Sequence, residues 1–230
     1  SQVGLGPRYR RVAEIAAGGM GSVSLALRCE PSGESWPVAI KQLHAHLVDD
    51  AETVAMFVDE ARIASQIAHP NVVRVHDVEM LGHHLVIVMD YVEGVSLAHL
   101  LRVHRNGGSP LPVGMVRRIV HDAARGLHAA HDAEDSRGRR LDVVHRDVSP
   151  HNLLVGTDGA TRVTDFGIAL TTGRVASTRI DGAVKGKLSY LSPEQVYRRP
   201  LDRRTDVFAA GIVLWECLAG RRLFEGTSEG

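Results

Sequence analysis

The sequence has few cysteines, no excess of charge of either sign and no long apolar run. Its two cysteines, Cys29 and Cys217, lie far apart, which argues against a disulfide framework and favours a reduced, cytoplasmic chain. Lys and Arg together number 27, as do Asp and Glu, so nothing in the charge indicates nucleic-acid or membrane-surface binding. The longest apolar stretch, residues 207–218, contains Glu216 and is too short to span a bilayer. We expect no nucleic-acid partner and no membrane segment within this chain, while a membrane anchor in a region outside it stays open.

What is present is the composition of a folded globular chain. Hydrophobic residues make up 44% and charged residues 23% of 230 positions, enough for one large domain or two closely joined lobes. The thirteen histidines have no cysteine or carboxylate clustered beside them, so surface or turn positions explain them better than metal ligation. The first residue is Ser1 rather than Met, from which we expect a piece of a longer protein.

Residues 9–90 carry β-strand patterns around a single helix. Apolar residues at helical spacing from Val54 to Ala68 predict the helix. Runs rich in β-forming residues between turn signals predict five strands, at residues 9–16, 22–29, 38–43, 72–78 and 85–89. Together they predict a small α+β lobe.

Helices dominate the pattern from Ser96 onward. Ser96 is predicted to cap a helix over residues 97–105, and Pro112 to open a longer helix that ends near residue 131. Two short strands are predicted at residues 153–155 and 161–164. Thr205 is predicted to cap a helix over residues 206–218, which is apolar on nearly every side and should therefore be buried all round.

A glycine-rich hairpin separates the first two predicted strands. Because Gly18 and Gly21 have no Cβ, backbone N–H groups there can approach phosphate oxygens. Alone this is weak evidence, since a glycine-rich turn without a ligand is the commoner explanation. The candidate phosphate-binding residues are Ile15, Ala16, Gly18, Gly19, Met20, Gly21, Ser22 and Val23.

Lys41 lies in the third predicted strand, where an inward-facing ammonium is costly without an anionic partner. Glu60 is one turn from Phe57 and one turn from Ala64, so it shares their inward helical face. We predict that Lys41 and Glu60 pair. The alternative is an ordinary surface ion pair.

Two further motifs are typical of phosphoryl transfer. In the segment His-Arg-Asp-Val-Ser-Pro-His-Asn, Asp147 is suited to orient an acceptor hydroxyl and Asn152 to bind a metal ion. In Asp-Phe-Gly, Asp165 is suited to hold Mg²⁺ against phosphates. Either motif alone could be a chance turn. The glycine-rich hairpin, the strand with Lys41 and these two motifs make four in this order, which chance does not readily explain.

The four motifs resemble those of bacterial Hanks-type (eukaryotic-like) serine/threonine protein kinases. The resemblance extends from Tyr9 to the end of the chain and includes residues 69–73, 86–94 and 186–194. Asp206 with Gly211 resembles the buried helix that anchors the catalytic loop in this family. It implies a two-lobed α+β fold: a tail at residues 1–8, a β-rich N-lobe at 9–90 and a mainly helical C-lobe at 91–230. We expect this C-lobe to be truncated and its activation segment to span residues 165–194.

The resemblance also implies how Mg·ATP would bind between the lobes. Lys41, held by Glu60, would neutralise the α- and β-phosphates; Asp165 and Asn152 would hold Mg²⁺ or Mn²⁺; and Asp147 would orient a protein hydroxyl, Ser or Thr in preference to Tyr. Adenine contacts are implied for the gatekeeper Met89, for backbone groups of Asp90 and Val92, and for the apolar side chains of Val23, Ala39 and Leu154.

The sequence departs from the family at positions near the chemistry. Ala16 replaces the first glycine of the nucleotide loop, and Leu170 replaces a basic residue. Ser149 replaces the catalytic-loop lysine that contacts the γ-phosphate, while Lys187 replaces a threonine of the activation segment. We hypothesise a swap in which Lys187 supplies the missing ammonium and Ser149 the missing hydroxyl. The alternative is that Lys187 points to solvent.

Two other functions fit the same fold. A pseudokinase that binds nucleotide and serves as a scaffold is favoured by Ser149 and opposed by the intact Lys41, Asp147, Asn152 and Asp165. A small-molecule phosphotransferase is opposed by residues 186–194, which resemble a peptide-docking loop. The expected partners are protein substrates with Ser or Thr acceptors, together with self-association for autophosphorylation.

Overall fold

A computed structural model describes residues 8–166 and 188–224 of the chain. It divides into two compact units. The first unit comprises Ser1–Gln66 and Val73–Val92, and the second comprises Ile67–Val72 and Glu93–Gly230. The chain therefore leaves the first unit at residue 67, returns to it at residue 73, and leaves it again at residue 93.

The first unit is a five-stranded antiparallel sheet with one long helix. In the sheet the strands have the order β1-β2-β3-β5-β4. The strands are β1 (Tyr9–Ala17), β2 (Gly21–Cys29), β3 (Ser35–Leu43), β4 (Val75–Leu81) and β5 (His84–Asp90), and the helix is α1 (Ala51–Ser65). The β-rich composition predicted for this part of the chain is confirmed.

Strand alternation and a polar cap explain how these elements form. One face of the sheet buries a cluster consisting of Tyr9, Ala26, Val38, Ile40, Val86 and Val88. Asp50 caps α1, because its carboxylate accepts hydrogen bonds from the Glu52 backbone N–H (3.2 Å) and the Thr53 hydroxyl (2.7 Å). The helix ends at Ser65, three residues before the Ala68 that the apolar spacing had included.

The fourth strand begins later than predicted. Residues 72–74 are outside β4, which starts at Val75. Val72 instead forms an isolated parallel bridge with Val163, and the Asn71 side chain donates to the Thr161 carbonyl over 2.9 Å. A β-forming run does not reveal which partner it pairs with, so the sequence predicted the wrong partner for Val72, and residues 73–74 join neither sheet.

The second unit is mainly helical, as predicted. Ser96 caps α2, and its hydroxyl accepts from the His99 N–H at 3.3 Å. Its helices are α2 (Leu97–Asn106), α3 (Val113–His131), α4 (Pro193–Val196) and α5 (Arg204–Ala219), and its small sheet has the order β6 (Gly94–Ser96), β7 (Leu153–Gly156) and β8 (Thr161–Val163). Strand β6 had no sequence prediction.

Helix α5 differs from its prediction in two ways. Thr205 is not a cap: the helix starts at Arg204, and the Thr205 hydroxyl donates to the Glu194 carboxylate over 2.8 Å. The helix is also not buried all round, because Val207 keeps 65% and Leu218 49% of its surface exposed within the described residues. Its buried face carries two acids, Asp206 and Glu216, beside apolar residues. The high average apolarity of the helix sequence therefore did not indicate which face of the helix is buried.

Across residues 8–166 and 188–224, no helix has both the length and the apolar character needed to cross a bilayer.

Candidate functional site

The glycine turn, defined here as residues 17–21 between β1 and β2, lies against the end of β3. Gly18 N–H donates to the Gly21 carbonyl over 2.8 Å, which closes the turn. Gly21 pairs with Leu43, and a Cβ on Gly21 would lie 2.1 Å from the Gln42 carbonyl oxygen. A Cβ on Gly19 would meet nothing within 4 Å. Close approach therefore requires glycine at Gly21 but not at Gly19.

Substitution by alanine should affect stability differently at Gly21 and at Gly19. We expect Gly21→Ala to lower the free energy of unfolding by about 1–3 kcal/mol, because β2 and β3 must move apart to accept the methyl group. Gly19→Ala, with open space around its Cβ, should leave the urea midpoint close to that of the parent. Equal losses of stability in the two variants would contradict this steric explanation.

Lys41 and Glu60 form the predicted ion pair within the first unit. Lys41 lies in β3 between Val23 of β2 and Ile87 of β5. Its Nζ is 2.7 Å from Glu60 Oε1 of α1, and both side chains are largely shielded from water. Nζ also lies 5.9 Å from the centre of the Phe57 ring. The pair holds an ammonium at a fixed place beside the middle of the sheet.

The catalytic-loop segment of the second unit is built around His145, which is fully buried. Its Nδ1 accepts from the Asp147 N–H (3.2 Å), and its Nε2 donates to the Thr164 carbonyl (3.1 Å). The Phe166 ring packs at 4.7 Å, centre to centre. One imidazole thus joins the His-Arg-Asp segment to residues 164–166, which contain Asp165.

Asp147 and Asn152 are in direct contact. The Asn152 Nδ2 donates to the Asp147 carbonyl (2.8 Å) and to its carboxylate Oδ2 (2.9 Å). With the amide nitrogen facing Asp147, the Asn152 carbonyl oxygen is the atom suited to a metal ion. Asp165 has φ of 54°, in the left-handed region that non-glycine residues rarely adopt. Such strain is commonly found at functional sites.

Asp206 anchors this segment from helix α5, as the resemblance implied. Its carboxylate, completely buried, accepts from the backbone N–H groups of His145 and Arg146, each at 2.8 Å. It also contacts His131 Nε2 of α3 at 2.7 Å. Arg146 has φ of 67°, so this carboxylate holds an uncommon backbone conformation just before Asp147.

Arg146 carries a buried guanidinium. Burial lowers the pKa of Arg146, and the negative charge of Asp206 partly opposes that shift. Its Nε and Nη1 atoms have no hydrogen-bond partner among the described residues. The Arg146 carbonyl accepts from Gln195 Nε2 over 2.8 Å, which ties the loop to α4. A buried cation in this state favours an incoming anion.

Ser149 is also fully buried, and its hydroxyl has no hydrogen-bond partner in the part of the chain that the structure describes. Lys187 lies outside the described residues, as do Leu170 and Gly167 and most of the activation segment expected at residues 165–194. The proposed exchange of roles between Ser149 and Lys187 therefore stays a prediction.

The expected adenine residues fall in both units. Ala39 and Met89 are buried and pair with each other across β3 and β5. The Asp90 N–H already donates to the Arg74 carbonyl over 2.9 Å, so its own carbonyl is the backbone group better suited to adenine. The others also lie in the described residues: Ile15, Ala16 and Val23 in β1 and β2, Val92 after β5, and Leu154 in β7.

A metal site of several protein ligands is absent from the described residues, where no three His, Cys, Asp or Glu side chains come together. A magnesium ion bound with nucleotide needs only one or two protein ligands, because phosphates and water supply the rest. The Asn152 carbonyl and the Asp165 carboxylate match that requirement in ligand chemistry.

Sequence reasoning missed a buried cluster at the far end of α5. Glu216 pairs with Arg105 from α2 and accepts a hydrogen bond from the Tyr190 hydroxyl. Burial, and then the neighbouring Glu216 carboxylate, raises the pKa of Tyr190. The signal was a single acid inside the apolar run 207–218, because a buried carboxylate requires partners. Through Tyr190, the cluster connects the end of the expected activation segment to α5.

The comparisons with known proteins agree with this geometry. The chain is 41% identical over 216 residues to the tyrosine-protein kinase MasK of Myxococcus xanthus, covering 94% of this chain and 33% of that protein. It is 37% identical over 229 residues to the serine/threonine-protein kinase PknA of Corynebacterium glutamicum, covering 97% and 45%. The crystal structure of the Mycobacterium tuberculosis PknI kinase domain matches with a TM-score of 0.70 at 28% identity, covering 97% of this chain and 77% of that one.

The chain thus spans less than half the length of these two curated relatives. The family described as protein kinase domain matches residues 9–230, nearly the whole sequence. Because that match includes both units and every motif described above, this chain belongs to the protein kinase domain family.

Proposed function

We propose that this chain transfers the γ-phosphate of ATP to Ser and Thr hydroxyls of proteins in bacterial signalling. The observation that carries the proposal is the ion pair between Lys41 and Glu60, at 2.7 Å. A shielded ammonium held by a helix carboxylate in the middle of a sheet adds little to stability that an apolar pair would not. It is, however, what binding of phosphate oxygens requires.

Each remaining residue has one role in this proposal. Lys41 neutralises the α- and β-phosphates, and the glycine turn offers backbone N–H groups to the phosphates. Asn152 and Asp165 hold Mg²⁺ or Mn²⁺, and a bound divalent ion neutralises charge that develops on the phosphates. Asp147, fixed by its hydrogen bonds with Asn152, orients the acceptor hydroxyl. Adenine binds to Met89, Asp90, Val92, Val23, Ala39 and Leu154.

Tyrosine is the second candidate acceptor. The relative named as a tyrosine-protein kinase shares 41% identity with this chain, whereas the relatives named as serine/threonine-protein kinases share 34–37%. Lys187 also replaces the threonine that helps to mark Ser/Thr specificity in the family that the sequence resembles. Against tyrosine stands the larger number of serine/threonine-specific names among the relatives.

Phosphoamino-acid analysis tests both acceptors. The purified chain is incubated with radiolabelled ATP, Mg²⁺ or Mn²⁺ and a generic protein substrate, and the labelled protein is hydrolysed. Label in phosphoserine and phosphothreonine supports the proposal, and label in phosphotyrosine alone would replace it with the second candidate. Nucleotide binding without any transfer would instead favour the scaffold. A rate of self-labelling that rises with chain concentration would support self-association for autophosphorylation.

A cytoplasmic location follows from the same proposal. ATP is the phosphate donor, and Cys29 and Cys217 are both free thiols, as expected in a reducing compartment. Burial raises the pKa of Cys217 to about 12, so this thiol is unreactive at neutral pH.

The exchange of Ser149 and Lys187 gives a separate prediction. If Lys187 supplies the ammonium for the γ-phosphate, Lys187→Thr should lower kcat by about 10²–10³-fold with little change in ATP affinity. Adding Ser149→Lys to that variant should recover much of the loss, since it restores the usual arrangement of the family. A kcat near that of the parent for Lys187→Thr alone would mean that the ammonium is not used.

A further inference from the structure

His44 contacts the glycine turn at two places. It follows directly after β3, where its backbone N–H donates to the Met20 carbonyl over 3.0 Å. Its ring Nε2 lies 2.8 Å from the Gly18 carbonyl oxygen. A carbonyl oxygen can only accept, so Nε2 must carry the proton and donate it. A single residue therefore binds two carbonyl groups of the turn.

These two hydrogen bonds set the directions of two backbone N–H groups. The described chain contains no cis peptide bond. In a trans peptide the C=O of one residue and the N–H of the next point in opposite directions. With the Gly18 carbonyl held by the His44 ring, the Gly19 N–H points away from it. With the Met20 carbonyl held by the His44 backbone N–H, the Gly21 N–H points away from the His44 backbone.

Packing does not fix the Gly18–Gly19 peptide on its own. A Cβ on Gly19 would meet nothing within 4 Å, and one on Gly18 would meet a single atom at 3.9 Å. Gly21, by contrast, is already confined by the Gln42 carbonyl. The hydrogen bond from the Gly18 N–H to the Gly21 carbonyl closes the turn, and the side-chain hydrogen bond from His44 is the one that holds the Gly18 carbonyl and so orients the Gly18–Gly19 peptide. His46 stacks on the His44 ring at 5.6 Å with planes 19° apart, which supports the ring's orientation.

We propose that His44 is a positioning residue for the phosphates of ATP, because it holds the Gly18–Gly19 peptide with its N–H directed away from the His44 ring, where it can donate to a phosphate oxygen. This inference rests on the proposed function, since it requires that the glycine turn binds phosphate. His44 then contributes to the affinity for ATP through the phosphates and does not contribute to the affinity for adenosine.

The test compares ATP with adenosine, which has no phosphate. Affinities for Mg·ATP and for adenosine are measured by calorimetry on the intact 230-residue chain and on the variants His44→Leu, His44→Asn and His44→Gln. Loss of one hydrogen bond should weaken Mg·ATP binding about three- to tenfold in His44→Leu and leave adenosine binding unchanged. His44→Gln, whose Nε2 reaches about as far as that of His, should stay within about twofold of the parent. The shorter His44→Asn should behave like His44→Leu.

His83→Leu is the matched control, because His83 is an exposed histidine of the same unit in the turn between β4 and β5. If His44→Leu lowers the melting temperature, the comparison of Gln with Asn decides the question, since both are polar amides. Unchanged Mg·ATP affinity in all His44 variants, or an equal loss for adenosine, would overturn this inference alone. A parent chain that binds neither ligand would overturn the proposed function, and this inference with it.

Discussion

Lys41→Met is expected to bring phosphotransfer below about 10⁻² to 10⁻³ of the parent rate. The substitution keeps a long apolar stem in β3 but removes the ammonium that Glu60 holds at 2.7 Å. Charge on the transferring group then loses one fixed cation, and one such group typically contributes about 10²–10³-fold. The measurement is transfer from radiolabelled ATP by protein that is free of contaminating kinases. Equal turnover by the variant and the parent would contradict the assignment of Lys41.

Arg62→Met is the matched control for Lys41. Arg62 lies on the same unit, in the last turn of α1, and its side chain is exposed to solvent. The same change of residue type, from a cation to methionine, should leave turnover near the parent value there. Asp165→Asn complements the pair, because it should abolish transfer and also weaken Mg·ATP binding, whereas Lys41→Met leaves the proposed metal ligands intact.

Asp206→Ala is expected to have the largest effect on stability. It removes the acceptor for two backbone N–H groups and the partner of His131, all within 2.7–2.8 Å of a completely buried carboxylate. Breaking such a buried polar arrangement typically costs about 3–5 kcal/mol, which urea unfolding measures directly. The loop that carries Asp147 should lose its fixed backbone as well, so turnover should fall even in conditions where the variant is folded.

Asp202→Ala tests whether burial of the carboxylate causes the large loss of stability expected for Asp206→Ala. Asp202 precedes the same helix by two residues and pairs with Arg204 at 2.7 Å, but its side chain is half exposed. Water can replace that ion pair, but the carboxylate also accepts from the Arg204 N–H (2.9 Å) at the start of α5. The free energy of unfolding should therefore fall by about 0.5–2 kcal/mol, less than for Asp206→Ala. Similar midpoints for the Asp202 and Asp206 variants would contradict the view that Asp206 anchors the catalytic loop.

The parts of the site that lie on regular elements could be predicted from the sequence. Lys41 and Glu60 pair as expected because strand and helix periodicity fix the face on which each side chain lies. The strand and helix patterns likewise predicted most of the element bounds to within one to three residues. The order of the motifs then restricted the family, which the match over residues 9–230 confirms.

What could not be predicted depends on partners that are distant in sequence. The His44 ring contacts Gly18 across 26 positions, and Arg105 reaches Glu216 across 111. No local periodicity encodes such contacts. The same reason explains the error over α5, where the acids Asp206 and Glu216 face inward and several apolar side chains face outward. The dihedral angles of Arg146 and Asp165 are likewise imposed by their surroundings.

The segment Ile67–Val72 belongs to the second unit but lies in sequence between two stretches of the first, which has a consequence for synthesis on the ribosome. All five strands of the first sheet have been made once residue 90 has left the ribosome. The Asn71 amide, however, bonds to Thr161, 90 positions further on. At about 5–20 residues per second, the segment waits about 5–20 s for its partner. For that time the Asn71 amide and the Val72 backbone lack the partners that residues 161–163 supply in the folded chain.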